Sequence, residues 1–244
     1  MECDVVNLSN MQTSLTIVRY KYWAIPFAFF SMFLFRIPLF FNRKITFYKL
    51  MGSGKNGTFD KSPDLKQWAI LCVHTNNILE QNTEELLGGF ISNWFSFFST
   101  DVFTIILEPI MGHGLWDKKE VFGKLSSKSE IVGPVATLTR ATIRLNKMKY
   151  FWENVAPVAK NMNIAKGFVF SVGIGEVPWI KQATFSIWET ADDMKSFAYK
   201  MKAHSEVVKK TREENWYSEE LFVRFKVLKT NGTLHGINPL KRIL

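Results

Sequence analysis

Apolar and polar residues alternate along "VATLTRATIR", so its side chains must point in turn to two faces. The pattern predicts a strand over Val135–Arg144. Thr137, Thr139 and Ala141 fall on one side, and Leu138, Arg140 and Thr142 on the other. Further on the apolar positions recur at helical and strand spacing in turn. The chain then reads as helix Asn146–Asn163, strands Phe168–Ile174 and Ala183–Trp188, helix Ala191–Glu214 and strand Leu221–Leu228. The order βαββαβ is the ferredoxin-like unit, an antiparallel sheet with helices on one face.

Internal matches extend that plan to the first half of the chain. "ITFYKLMGSGKNG" pairs with "GFVFSVGIGEVPW", "KQWAILCVHT" with "KQATFSIWET", and "VFTIILEPIMGHGLWD" with "LFVRFKVLKTNGTLHG", in the same order. The expected fold is α+β, with two ferredoxin-like repeats (14–122 and 134–240) pairing their sheets into a dimeric α+β barrel. "GKLSSKSEIVG", Gly123–Gly133, is expected as the polar linker between them. Between the second and third matches the spacing grows from 115 to 119 residues, about one extra helical turn in the second half. His204 lies in that longer helix, whereas the first half has Gly88-Gly89 near the equivalent place.

One segment departs from globular patterning. "WAIPFAFFSMFLFRIPLFF", Trp23–Phe41, approaches bilayer-spanning length, but holds Pro26, Pro38 and Arg36 and has basic residues on both sides. Strand-like "SLTIVRY" and "ITFYKLM" flank it. A buried or membrane-touching helix is expected ahead of a span.

Composition is otherwise that of a folded chain of 244 residues, 47% hydrophobic and 22% charged, which excludes disorder. The 22 Phe and 8 Trp suit a core or pocket for large apolar partners. The net charge of +9 comes from dispersed Lys and Arg without a nucleic-acid motif. It therefore points to a peripheral membrane contact or to ligand carboxylates, and not to nucleic acid. Cys3 and Cys72 form neither metal spacing nor a disulfide framework, so a reducing cytoplasm is expected, with contact at the inner membrane face left open.

Gly52-Ser53-Gly54-Lys55-Asn56-Gly57 fits G-x-G-x-x-G but is followed by a Pro-containing turn and a strand, so it reads as a hairpin loop and not as a phosphate cradle. His204 and Glu206 point about 200° apart on a helix and cannot share a metal with His235. Cys72 and His74 share a strand face and read as packing. His204 is set among Phe197, Met201, Val207, Val208 and Thr211 at helical spacing, with Met194 a turn earlier. It is either a hydrogen-bonded core residue or the nitrogen ligand of a flat apolar cofactor with an iron centre and carboxylate tails.

The stretches "FYKLMGSG", "WAIL", "LTRATIR", "FSVGIGEVPWIKQATFSIWE", "MKSFAY" and "HSEVVKKTREENWYSEELFVRF" resemble the spheroidene monooxygenase family and its uncharacterised relatives. The resemblance runs from near Thr16 to near Pro239. It implies a heme b monooxygenase that oxidises an apolar substrate such as a carotenoid, fed by an electron donor the sequence does not name. Aldoxime dehydratases share the implied architecture, so a heme-dependent dehydratase is one alternative. A non-catalytic heme- or lipophile-binding protein is another, and a homo-oligomer is compatible with any of them.

The resemblance assigns His204 to the iron, with Phe197, Met201 and Val208 along the heme. It leaves Arg212 and Arg224 as candidates for the propionates, and Trp216 and Tyr217 as a pocket cap or as core. If the face of Leu138, Arg140 and Thr142 is the heme face, Arg140 is the catalytic candidate. Otherwise it pairs elsewhere on the barrel. The Phe-rich Trp23–Phe41 departs from the family and leaves the substrate open.

Overall fold

A computed structural model describes residues 11–55, 62–127, 131–200 and 202–243; the side chains of 155–161, 200, 202–206 and 208 lie outside what it describes. Strands β1 (Gln12–Tyr20), β2 (Ile45–Gly54), β3 (Pro63–His74) and β4 (Ser99–Gly114) belong to the first half of the chain. With them come helices α1 (Ile25–Leu34), α2 (Arg36–Phe41), α3 (Thr83–Leu87) and α4 (Gly89–Phe98). The second half contributes β5 (Val135–Ile143), α5 (Met148–Met162), β6 (Phe168–Val177), β7 (Lys181–Trp188), α6 (Ala191–Lys195), α7 (Lys202–Glu213) and β8 (Tyr217–Gly232).

The eight strands close an antiparallel barrel in the order β1-β3-β2-β6-β7-β5-β8-β4, with β4 returning to β1. Within each half the strands lie fourth-first-third-second, the ferredoxin-like order. The halves meet edge to edge at β2–β6, where Gly52 faces Gly175, and along β4–β8. The β2–β6 seam is the narrowest, paired only at Gly52–Gly175 and Ser53–Ile174.

Alternation along each strand divides its residues between the barrel interior and the helix layers. Leu15, Ile17, Leu71, Ile105, Leu138, Phe185, Val223 and Phe225 fill the interior. Trp116, Val121 and Phe122 from the loop after β4, and Leu234 and Leu240 from the segment after β8, plug it.

This division corrects two of the internal matches. Interior positions on β3, β4, β7 and β8 are all odd-numbered (Ala69, Leu71, Phe103, Ile105, Ala183, Phe185, Leu221, Val223). A spacing of 115 or 119 therefore pairs interior with exterior residues, so each match is slipped by one. Gly114 and Gly232, which end β4 and β8, stand 118 apart and have φ of 89° and 81°. A Cβ on either would lie 2.1 Å from Glu220 O or 1.9 Å from Val102 O. The four-residue excess of the second half survives, because both matches slip the same way. The expected single helix Ala191–Glu214 is instead α6, a π-helical turn at Ser196–Lys200, and α7. Its first-half counterpart is also interrupted, at Gly88 between α3 and α4.

At one mouth of the barrel, charges from both halves converge. Arg140 is 1% exposed and pairs with Glu219, with Glu176 at 3.3 Å and with Asp117 at 3.6 Å. Its guanidinium lies 5.5 Å from the Trp116 ring centroid. Lys49 pairs with Asp117 and Glu176, and Lys181 reaches Asp117 at 2.8 Å.

Partial burial pushes the Asp117 carboxyl up, but hydrogen bonds and charge from Lys181 and Lys49 outweigh it and hold the group at about 2. Glu219 is likewise lowered: burial opposes, and bonds from Lys118 N and Arg140 prevail. Both pKa values are depressed by folding. Their stabilisation is thus complete above the ordinary carboxylate pKa of about 4 and fades as pH falls toward 2. Urea unfolding midpoints should decline below about pH 4 as these carboxylates protonate. This adds to an earlier decline that begins near pH 6.5, where the buried neutral His74 charges only on unfolding. Asp117→Asn should flatten part of the lower decline.

Candidate functional site

The two helix layers are built differently. Over the first half, Val18, Leu50, Ile70, Cys72 and Ile106 of the sheet meet α1, α2 and α4 in one closed apolar cluster. Burial raises the Cys72 thiol pKa well above its ordinary value and lowers His74 to about 4; the imidazole is bonded to Ser14 Oγ at 2.9 Å. A neutral, enclosed histidine beside an un-ionised thiol is packing, as the sequence suggested.

Over the second half the sheet presents small and hydroxyl residues. One cross-strand row runs Ser171, Ser186, Thr137, Arg224, and the next runs Gly173, Thr184, Thr139, Phe222. Thr137 Oγ1 and Ser186 Oγ lie 2.8 Å apart, and Trp188 Nε1 donates to Ser186 at 3.0 Å. Thr139 sits mid-strand on β5 with a strand on either side, on the helix-bearing face, yet it is exposed. A closely seated helix layer would bury it, so the sheet is open at this point.

Two apolar clusters bound the opening. Val135, Trp188, Met162, Met194 and Phe197 form one, with the Trp188 and Phe197 rings 5.0 Å apart. Ile143, Phe151, Trp152 and Trp216 form the other, against which Val207 packs. The chain from Phe197 to Val207 thus joins the clusters, and the backbone of His204 lies within that stretch, in α7. A π-helical turn, a feature frequent at functional sites, begins it.

Two buried polar atoms on this face have no hydrogen-bond partner, Thr184 Oγ1 and Arg224 Nε. The Arg224 guanidinium otherwise meets Met111 Sδ at 3.4 Å and lies 5.4 Å from the Phe222 ring centroid. Leaving such atoms unpaired costs about 1–3 kcal/mol each, which a bound polar group would offset. Apolar ends, a floor of small side chains and a buried cation suit a flat apolar ring with an anionic edge.

The predicted residues separate accordingly. Phe197 is in the first cluster and Trp216 is the buried centre of the second, its indole bonded to Glu214 Oε2 at 2.8 Å. Trp216 is therefore core and not a lid. Arg212 is exposed on the last turn of α7. Met201 lies outside the described residues, as do the side chains of His204 and Val208.

Arg140 is displaced from the role proposed for it, since the face of Leu138 and Arg140 is the barrel interior, opposite to α7. Thr139 and Thr184 were missed. The signal for them was present: threonine and serine stand in "VATLTRATIR" and "KQATFSIW" where a helix-covered strand face calls for Val or Ile.

A separate cavity of about 540 Å³ includes Arg19, Asp64, Lys66, Gln67, Ser171 and His235 in its lining. Arg19 is held there by Asp64 at 3.0 Å and Gln67 at 2.9 Å. Phe170 and Leu234 make its lining one of mixed polarity. Among the described residues no cluster of His, Cys, Asp and Glu could hold a metal ion by itself.

No protein-family model matches the chain. Spheroidene monooxygenase of Rhodobacter capsulatus is 30% identical to it over 219 residues, which cover 89% of this chain and 90% of that protein. The chain belongs to the spheroidene monooxygenase family. A second spheroidene monooxygenase, from Cereibacter sphaeroides, is 36% identical over 202 residues, or 82% of this chain; the match spans 61% of that relative's length. An aldoxime dehydratase crystallised with butyraldoxime superposes with a TM-score of 0.61, over 96% of this chain and 85% of its own. At 9% identity that likeness is one of fold.

Proposed function

We propose that this protein is a heme-dependent monooxygenase acting on a long apolar substrate, of the carotenoid kind for which its relatives are named. The observation that carries the reading is the opened helix layer of the second half, where Thr139 is exposed above a floor with an unpaired Thr184 hydroxyl and Arg224 Nε.

In this reading His204 of α7 would supply a nitrogen ligand to the iron. Helical spacing groups position 204 with 207 and 211, where Val207 is half-buried and Thr211 buried. Phe197 would provide apolar wall, which helical spacing in the sequence would extend to Met201 and Val208. Arg224 would meet a carboxylate edge, and Arg212 at the end of α7 a tail that reaches solvent. A bound heme supplies reductive activation of oxygen and its insertion into a C–H bond, with electrons from an external donor. The protein's own part is to orient and to exclude water. The two apolar clusters close the ends, and the Thr184 hydroxyl and Arg224 Nε offer uncommitted donors on the floor, beside the exposed Thr139.

Because only the second half is opened, one heme per chain is expected in a pyridine hemochrome assay. The loaded protein should consume oxygen and reductant when a carotenoid substrate is added. Two hemes per chain, or a loaded protein that never turns over with any reductant, would contradict the reading.

A further inference from the structure

The helices α1 and α2 are apolar on both sides. Their inward stripe is Ala24, Ala28, Ser31, Phe35 and Leu39, all buried on the first half-sheet. Tyr20 donates to Ser31 Oγ at 3.1 Å, and the Phe35 ring meets those of Trp94 and Phe95 of α4. A helix seated in this way ordinarily turns polar residues outward. Here the outward stripe is Phe29, Phe30, Phe33, Ile37, Phe40 and Phe41, between 50% and 74% exposed. Isolated exposed apolar residues need no explanation, but a continuous stripe of about 18 Å does.

Charge selects what covers it. No Asp or Glu stands between Asp4 and Asp60, while Arg36, Arg43 and Lys44 are exposed on and beside α2. At the other end Lys21 Nζ lies 6.0 Å from the Trp23 ring centroid and 5.8 Å from that of Phe97. We propose that this face rests on an anionic bilayer surface. The α1–α2 rod would lie in the membrane plane, its phenyl rings at the acyl boundary and its cations at lipid phosphates.

A second copy fits less well, since a two-fold contact would set these cations against α1 and α2, which carry no carboxylate. The segment Tyr22–Phe41 is long and apolar enough to cross a membrane. As a span, however, it would surrender its inward stripe and the Tyr20–Ser31 bond.

Flotation with phosphatidylcholine vesicles, with and without phosphatidylglycerol, tests the proposal. The protein should float with the mixed vesicles, release as salt is raised, and wash off at alkaline pH without detergent. F30S/F33S/F40S should lower its partitioning at least roughly a hundredfold. R36Q/R43Q/K44Q should lower it roughly a hundredfold on anionic vesicles and little on neutral ones. These side chains are exposed, so thermal unfolding should stay near the parent's; the salt dependence of the parent decides the matter if a variant fails to fold. Three results overturn the proposal: no flotation with either vesicle, a dimer that F30S/F33S/F40S abolishes, or release by detergent alone.

Discussion

Arg140→Met should destabilise the protein by about 2–4 kcal/mol, read from denaturant unfolding. The guanidinium is fully buried and faces three carboxylates, of which Glu176 and Glu219 keep 13% and 18% of their side-chain surface exposed. Removing it leaves negative charges crowded at the barrel mouth beside Lys49 and Lys181 alone. Methionine restores the stem's apolar packing against Trp116 but none of the charge. Because the carboxylates retain some water, the loss should fall short of that for a fully dry pair. Combining Arg140→Met with Glu219→Gln should recover part of it, since the two residues are directly coupled. Heme content of the folded fraction should not change. A variant of parental stability that had lost turnover would return Arg140 to a catalytic role.

How legible this was in the sequence varied with the kind of signal. Two-residue alternation in "VATLTRATIR" identified both faces of β5 correctly, because a strand half-buried on each side must alternate. Which face lies inside the barrel was not legible. Both are apolar enough to be buried, and an interior arginine is tolerable only with the carboxylates of Glu176, Glu219 and Asp117, which come from distant parts of the chain.

The matched stretches fall on β2 and β6, β3 and β7, and β4 and β8, but the last two pairs are out of step by a residue. Composition alone cannot register a two-residue period. The glycines at 114 and 232 could have done so, as both end a strand at positive φ. The break in the helix Ala191–Glu214 left no such mark. "MKSFAYKM" contains neither Pro nor Gly, and a π-helical turn keeps the apolar spacing nearly intact. The outward phenylalanines of α1 were plain as composition, but only their exposure separates a surface from a core helix.

His204→Ala tests the central claim most directly, through the Soret band and heme content of the purified protein. The substitution removes the only histidine of α7 while leaving Phe197, Val207 and Trp216 to hold the two apolar clusters. If position 204 ligates the iron, the variant should fold, lose most of its heme or hold it with a shifted band, and recover part of the parent spectrum with added imidazole. His235→Ala, in the exposed loop after β8, should leave the band unchanged. If His204 is a hydrogen-bonded core residue instead, its loss should cost about 1–3 kcal/mol of stability and leave the spectrum alone. A parental Soret band at full heme occupancy in a less stable His204→Ala protein would contradict the heme assignment made for this helix.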